Sequence, residues 1–134
     1  MPLDATPLGN AVFRLREGLA RHQREPTDEQ LRDGLIQRFD FTYELSHRML
    51  RRYLRENAAS PEAIDQMPFA DLIRTGAAQG LLRGGWPEWR RFREMRARTS
   101  HTYDADAADL VVAAIPDFLA EADNLHAELH RRLA

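Results

Sequence analysis

Apolar residues recur along this chain at intervals of three and four, the spacing that lines one face of an α-helix. No period-two alternation runs long enough to predict a strand, and β-branched residues are sparse. The spacing predicts a first helix from about Leu8 to about His22, along which Val12, Phe13, Leu15 and Leu19 recur at helical spacing. Pro26-Thr27 punctuates the chain, and Thr27 with Gln30 three residues on has the form of a capping box. Asp28 and Glu29 fall in the first turn, where the helix dipole favours negative charge. The second helix is expected to be the longest, from about Asp28 to about Glu56. Leu31, Leu35, Phe39, Thr42, Met49, Tyr53 and Leu54 form its stripe, which Ile36, Phe41, Tyr43, Leu45 and Leu50 broaden past a single face. A stripe that wide implies a central position in the fold or a contact with another chain.

Ser60-Pro61 starts a short helix, with Ser60 as N-cap and Pro61 at the first helical position. A further helix is predicted from Phe69 to about Gln79, with Gly80 as its left-handed cap and Gly84-Gly85 as a flexible joint. Trp86-Pro87-Glu88-Trp89 opens the next helix, to about Ser100, with an apolar edge of Trp89, Phe92 and Met95 and a basic edge of Arg90, Arg91, Arg93, Arg96 and Arg98. Asp104 or Asp106 caps the last helix, where Pro116 predicts a kink or a brief break. Long helices with short connections imply an all-α fold, an up-and-down bundle of four to five helices. No repeat or linker divides it, so residues 1–134 read as one domain.

Composition narrows the chemistry. The chain carries 43% hydrophobic and 30% charged residues, the balance of a folded domain. Cysteine is absent, which excludes disulfides, thiol nucleophiles and thiolate metal sites. All 19 basic residues are arginine, which excludes P-loop, Schiff-base and general-base lysines; codon bias is the plainer reason for the arginines. The net charge of −2 confines any nucleic-acid surface to a local patch. Neither a leader at Met1 to Asn10 nor a run of roughly 18 apolar residues is seen, so the expectation is a cytoplasmic protein without a membrane span.

Reactive side chains are densest from Arg96 to Asp104. Metal-free cleavage of a phosphodiester needs a base for the 2′-hydroxyl proton and a cation for the charge that develops on the phosphate. His101 and Arg96 are the residue types for those roles, and Tyr103 stands beside them. Five residues along a helix rotate by about 140°. The two groups therefore meet only if the helix loosens near Thr99-Ser100, or if a second copy completes the site. The plainer reading is that Arg96 pairs with a carboxylate and His101 is a surface or capping histidine.

The run Leu35-Ile36-Gln37-Arg38-Phe39-Asp40-Phe41-Thr42-Tyr43-Glu44-Leu45, then Trp89, then Arg96 to Asp104, resembles the nucleotidyltransferase substrate-binding family of the HEPN superfamily. The likeness spans roughly residues 30 to 120. It implies a HEPN-like bundle that forms a homodimer and works beside a small nucleotidyltransferase. In HEPN toxins of this type, Arg-x4-His is a metal-independent ribonuclease site shared across the dimer. The partner acts as antitoxin by transferring adenylate onto the tyrosine of Arg-x4-His-x-Tyr. Arg96, His101 and Tyr103 match those positions, with Arg98, Ser100 and Glu44 as further candidates for binding substrate. Ala97 departs from the family, which often has a polar residue, commonly Asn, directly after the arginine. The alternative within the same family is a non-catalytic module that holds substrate or docks a nucleotidyltransferase.

Other features have plain and functional readings side by side. Asp40, Glu44 and Arg48 lie four apart, as in a surface salt-bridge ladder, or Glu44 orients a site arginine. Tyr103 either takes the modification or packs against the last helix. The arginines from Arg90 to Arg98, with Trp86 and Trp89, either track and stack RNA or form a solvated face and core anchors. His126 and His130, near Glu121 and Glu128, lack a third ligand at metal spacing, so no metal or other cofactor is expected. RNA, not DNA, is the nucleic acid expected.

Overall fold

The computed structural model describes residues 2–101 and 103–134. Its helices are α1 (Thr6–Arg24), α2 (Glu29–Glu56), α3 (Pro61–Asp65), α4 (Phe69–Ala78), α5 (Trp86–Arg98) and α6 (Ala105–Leu133), with a 3-10 turn at Thr99–His101. No strand occurs among the described residues. The long helices α1, α2, α5 and α6 form the up-and-down bundle, while α3 packs on α2 and α4 lies against α5 and α2. The core runs without a gap from Leu3 to Leu129.

The broad stripe of α2 is explained by its place: it meets every other helix. Leu35, Phe39, Tyr43, Leu50 and Leu54 are buried, whereas Phe41 stays 58% exposed. Phe39 meets Phe118 edge-on at 5.1 Å between ring centroids, and Phe118 in turn meets Trp89 and Phe92. Such ring pairs add about 0.5–1.5 kcal/mol each beyond area burial. Tyr43 and Trp89 are therefore core residues, and Trp89, fully buried, has no face left for a base.

Several helix ends differ from the sequence expectation. Asp28, not Thr27, caps α2: its carboxylate accepts from the Gln30 and Leu31 N–H groups, and a carboxylate at this position also meets the dipole. Ser60 sits at the N-cap of α3 without a side-chain bond. Gly80 does close α4, with φ +78°. The Leu81 and Gly80 N–H groups donate to the Gly76 and Ala77 carbonyls, the double closure that needs a left-handed residue. Pro116 lies on the exposed side of α6, and the helix runs unbroken through it. Its missing N–H therefore ends nothing here.

The Gly84-Gly85 joint is pinned rather than flexible. Glu121, only 4% exposed on α6, accepts from the Arg83 and Gly84 N–H groups and from Trp89 Nε1 at 2.8 Å. A buried carboxylate is costly unless donors replace its water, and these three N–H groups replace it. Asn124 donates to the Leu81 carbonyl and Arg132 to the Gln79 carbonyl. One face of α6 thus clamps the connection from α4 to α5. Glu88 closes the joint by accepting from the Gly85 N–H. The placement of Glu121 also removes it from any site with His126 and His130.

His47 and Tyr43 sit where α2 meets α4 and α5. The His47 ring meets Phe69 edge-on at 4.6 Å, and its Nε2 is buried without a partner among the described residues. Burial, then the Arg51 charge, lowers the His47 pKa, against a raising pull from Glu44. Burial pushes the Tyr43 phenol up to about 12, against the pull of Arg93.

Two predictions follow from these buried polar groups. Glu121→Ala leaves three N–H donors without an acceptor and is expected to cost about 3 kcal/mol, read as a lower urea midpoint; an unchanged midpoint would refute the clamp. The unfolded state protonates His47 before the folded state does, because the folded pKa lies below 6.5. Stability is therefore lost as pH falls below about 6.5. Thermal melts from pH 7 to pH 5 are expected to show this slope in the parent and a shallower one in His47→Gln.

Candidate functional site

The site lies where the C-terminal end of α5 crosses the middle of α2. Asp40 and Glu44 are one turn apart on α2, so both carboxylates project to the same side. Among the described residues neither forms an ion pair with Arg48. Both turn across the bundle to Arg96 Nε: Glu44 Oε1 accepts its hydrogen bond at 3.1 Å, and the buried Asp40 Oδ1 makes a close ionic contact with no hydrogen bond of its own among the described residues. Arg96 is one-third exposed, and among the described residues no partner meets either of its Nη groups. The nearest approach of both carboxylates is to the Nε side of the guanidinium, and the side chain is partly open to solvent. Glu44 was legible as an orienting group; Asp40 as its equal was not, although the four-residue spacing carried the signal.

Regular α-helix stops at Arg98, and the 3-10 turn Thr99–His101 follows. Thr99 Oγ1 donates to the Arg96 carbonyl at 2.7 Å, and Ser100 Oγ to the Ala97 carbonyl. The Arg96 carbonyl also accepts from the Thr99 backbone N–H, so these hydroxyls add to the closure of the helix end. The tighter turn changes the angular step per residue, so the sequence-level rotation between Arg96 and His101 does not apply. The Asp104 N–H donates to the His101 carbonyl, and Asp104 then caps α6 by accepting from the Asp106 N–H.

His101 is exposed, and Tyr103 is 89% exposed. Tyr103 therefore does not pack on α6; its ring stands edge-on to His101 at 6.4 Å. The structure brings together Arg96 with Glu44, and His101 with Tyr103. It makes no contact between the Arg96 guanidinium and the His101 imidazole within the chain, among the described residues. Arg98 and Ser100 are exposed, and Ser100 Oγ is turned to the Ala97 carbonyl. Thr102 lies outside the described residues.

Most of the arginine run is spoken for. Arg90 pairs with Glu94 and Arg91 with Asp117. Arg93 instead lies over the Phe69 ring, its Cζ 5.4 Å from the centroid. Trp86 is half-buried against the same ring. His126 and His130 rings are 5.9 Å apart, but Glu128 pairs with Arg131 and Arg132. No cluster of three or more metal-ligating side chains occurs among the described residues. No helix among them is long and apolar enough to cross a membrane.

Comparison with known proteins gives the family of this fold. The family described as "nucleotidyltransferase substrate binding protein like" matches residues 3–131. A curated protein of Haemophilus influenzae, named probable ribonuclease HepT, is 41% identical over 99 residues, which cover 74% of this chain and 67% of that protein. A solved structure from the same organism, HI0074, is described as the fold of a substrate binding domain of a nucleotidyltransferase. It superposes with a TM-score of 0.89 at 32% identity, covering 95% of this chain and 99% of its own. Matched over nearly its whole length in sequence and in fold, the chain belongs to the nucleotidyltransferase substrate-binding family.

Proposed function

We propose that this protein is a HEPN-type partner of a small nucleotidyltransferase and cleaves RNA without metal, as a homodimer, through Arg96 and His101. The observation that carries the reading is an oriented guanidinium one short turn before a solvent-facing imidazole. Since Arg96 and His101 do not touch within one chain, a second copy related by twofold symmetry completes the cleft. His101 takes the 2′-hydroxyl proton. The O2′ then attacks the neighbouring phosphorus, the P–O5′ bond breaks, and solvent returns a proton to O5′. The products are a 2′,3′-cyclic phosphate and a 5′-hydroxyl. Arg96 meets the charge on the phosphate through its Nη edge, while Asp40 and Glu44 keep that edge aimed. Glu44 acts by positioning, and Arg98 and Ser100 flank the path of the strand. The name of the curated relative, a probable ribonuclease, supports this reading.

The same site accommodates control by the partner. Tyr103 Oη is open to attack the α-phosphorus of ATP bound to a nucleotidyltransferase, giving up its proton to solvent, releasing pyrophosphate and leaving adenylate on the phenol. That group's bulk and negative charge, two residues from His101, would exclude an incoming phosphate. On this reading the two proteins form a toxin–antitoxin pair that acts in the cytoplasm.

A second reading has its own support. Ala97 offers no amide, two carboxylates already hold Arg96, and the description of HI0074 names a substrate binding domain. In that case the bundle holds substrate or docks the enzyme and performs no cleavage.

Incubation of the purified protein with RNA in chelator separates the two. The ribonuclease reading expects cleavage that His101→Ala reduces at least a hundredfold, whereas equal cutting by parent and variant removes His101 from the chemistry. Mixing with the partner enzyme and ATP is expected to add adenylate mass to the parent and none to Tyr103→Phe. A tight complex with neither modification nor cleavage supports the docking module.

A further inference from the structure

Arg93 is the arginine of the α5 run that the ribonuclease reading leaves without a task. Arg90, Arg91 and Arg96 each face a carboxylate. Arg93 faces none among the described residues, and it is exposed. Its guanidinium covers the Phe69 ring, with Cζ 5.4 Å from the centroid. One face of the cation is thus spent on an aromatic ring and the other is turned to solvent. The surroundings are aromatic too. Trp86 meets Phe69 at 5.8 Å and His47 meets it at 4.6 Å, both edge-on and both partly exposed.

This platform is continuous with the site. Arg93 and Arg96 are three apart on α5, neighbours on one helix face. Glu44 bonds Arg96 Nε and also acts electrostatically on His47, as Arg93 does. A strand whose phosphate met the Nη edge of Arg96 would pass Arg93 within one turn of helix. Unpaired bases are recognised by stacking on guanidinium planes and aromatic rings, with a cation for the backbone. A duplex keeps its bases stacked inside and cannot use such a platform.

We propose that Arg93, with His47 and Trp86 around Phe69, forms a base-stacking subsite for single-stranded RNA, one helical turn from Arg96. The subsite rests on the ribonuclease reading above. It assigns the substrate as unpaired RNA and places one nucleotide of it on the α2–α4–α5 side of the cleft. A purely structural role for Arg93, as apolar cover for Phe69, would be largely kept by methionine, a shorter apolar side chain without the planar cation.

The test is binding of a short unpaired RNA, labelled for fluorescence anisotropy, to full-length His101→Ala, which binds without cutting. Adding Arg93→Met is expected to weaken binding roughly tenfold with an unchanged melting temperature, and Arg93→Lys to recover only part of it. His47→Ala is expected to weaken binding in the same direction, and bound RNA to quench Trp86 emission. The same sequence as a duplex is expected to bind more weakly and to be indifferent to Arg93→Met. RNA binding that ignores both Arg93 and His47 overturns the subsite and leaves the ribonuclease reading standing. A duplex that binds as tightly, with the same sensitivity to Arg93, overturns the stacking assignment. No RNA binding by the parent or by His101→Ala overturns both.

Discussion

The buried carboxylate of Glu121, bonded to the Trp89 indole, anchors the start of α5. It supplies the acceptor that the Arg83 and Gly84 backbone and the indole N–H need once water is excluded. A helix that starts at a diglycine has no intrinsic direction, because glycine accepts nearly any backbone angle. Here direction is imposed from α6. With its first turn fixed, α5 passes over α2 at a height that places Arg96 opposite Asp40 and Glu44. The chemistry at the far end of the helix thus depends on a buried charge at the near end.

Two carboxylates against one guanidinium can neutralise it or aim it. The geometry favours aiming, because both oxygens address Nε. An arginine saturated by its partners would spend its terminal nitrogens on them, as Arg91 does with Asp117 through Nη1. The difference between Arg91 and Arg96 lies in which nitrogen the carboxylates approach most closely.

The fold was largely legible in the sequence, since helical periodicity is a local property and the α2 stripe spans seven turns. Gly80 was legible as a cap for the same reason: one residue type dominates left-handed positions. Thr27 was misread because Asp28 beside it is an equally good acceptor, and only the path of the backbone decides which oxygen reaches the free N–H groups. The pinned Gly84-Gly85 joint was not legible at all, because its partner lies on α6, 37 residues away in sequence. For the site, resemblance pointed to Arg96, His101 and Tyr103, while residue types alone left the roles open. That Asp40 and Glu44 face α5 rather than Arg48 is tertiary information. So is the burial that makes Trp89 a core residue while Trp86 stays at the surface.

Engagement of Arg96 through Nε alone has a consequence for what could stand in its place. A guanidinium can be gripped at its neck and still present two further nitrogens. An ammonium has a single nitrogen at the tip of a flexible stem, so carboxylates that held it would screen the same point a phosphate must reach. Position 96 is thereby closed to lysine by geometry rather than by charge. In a chain whose cations are all arginine, this is one place where the preference is dictated by the fold rather than by the genome's taste in codons.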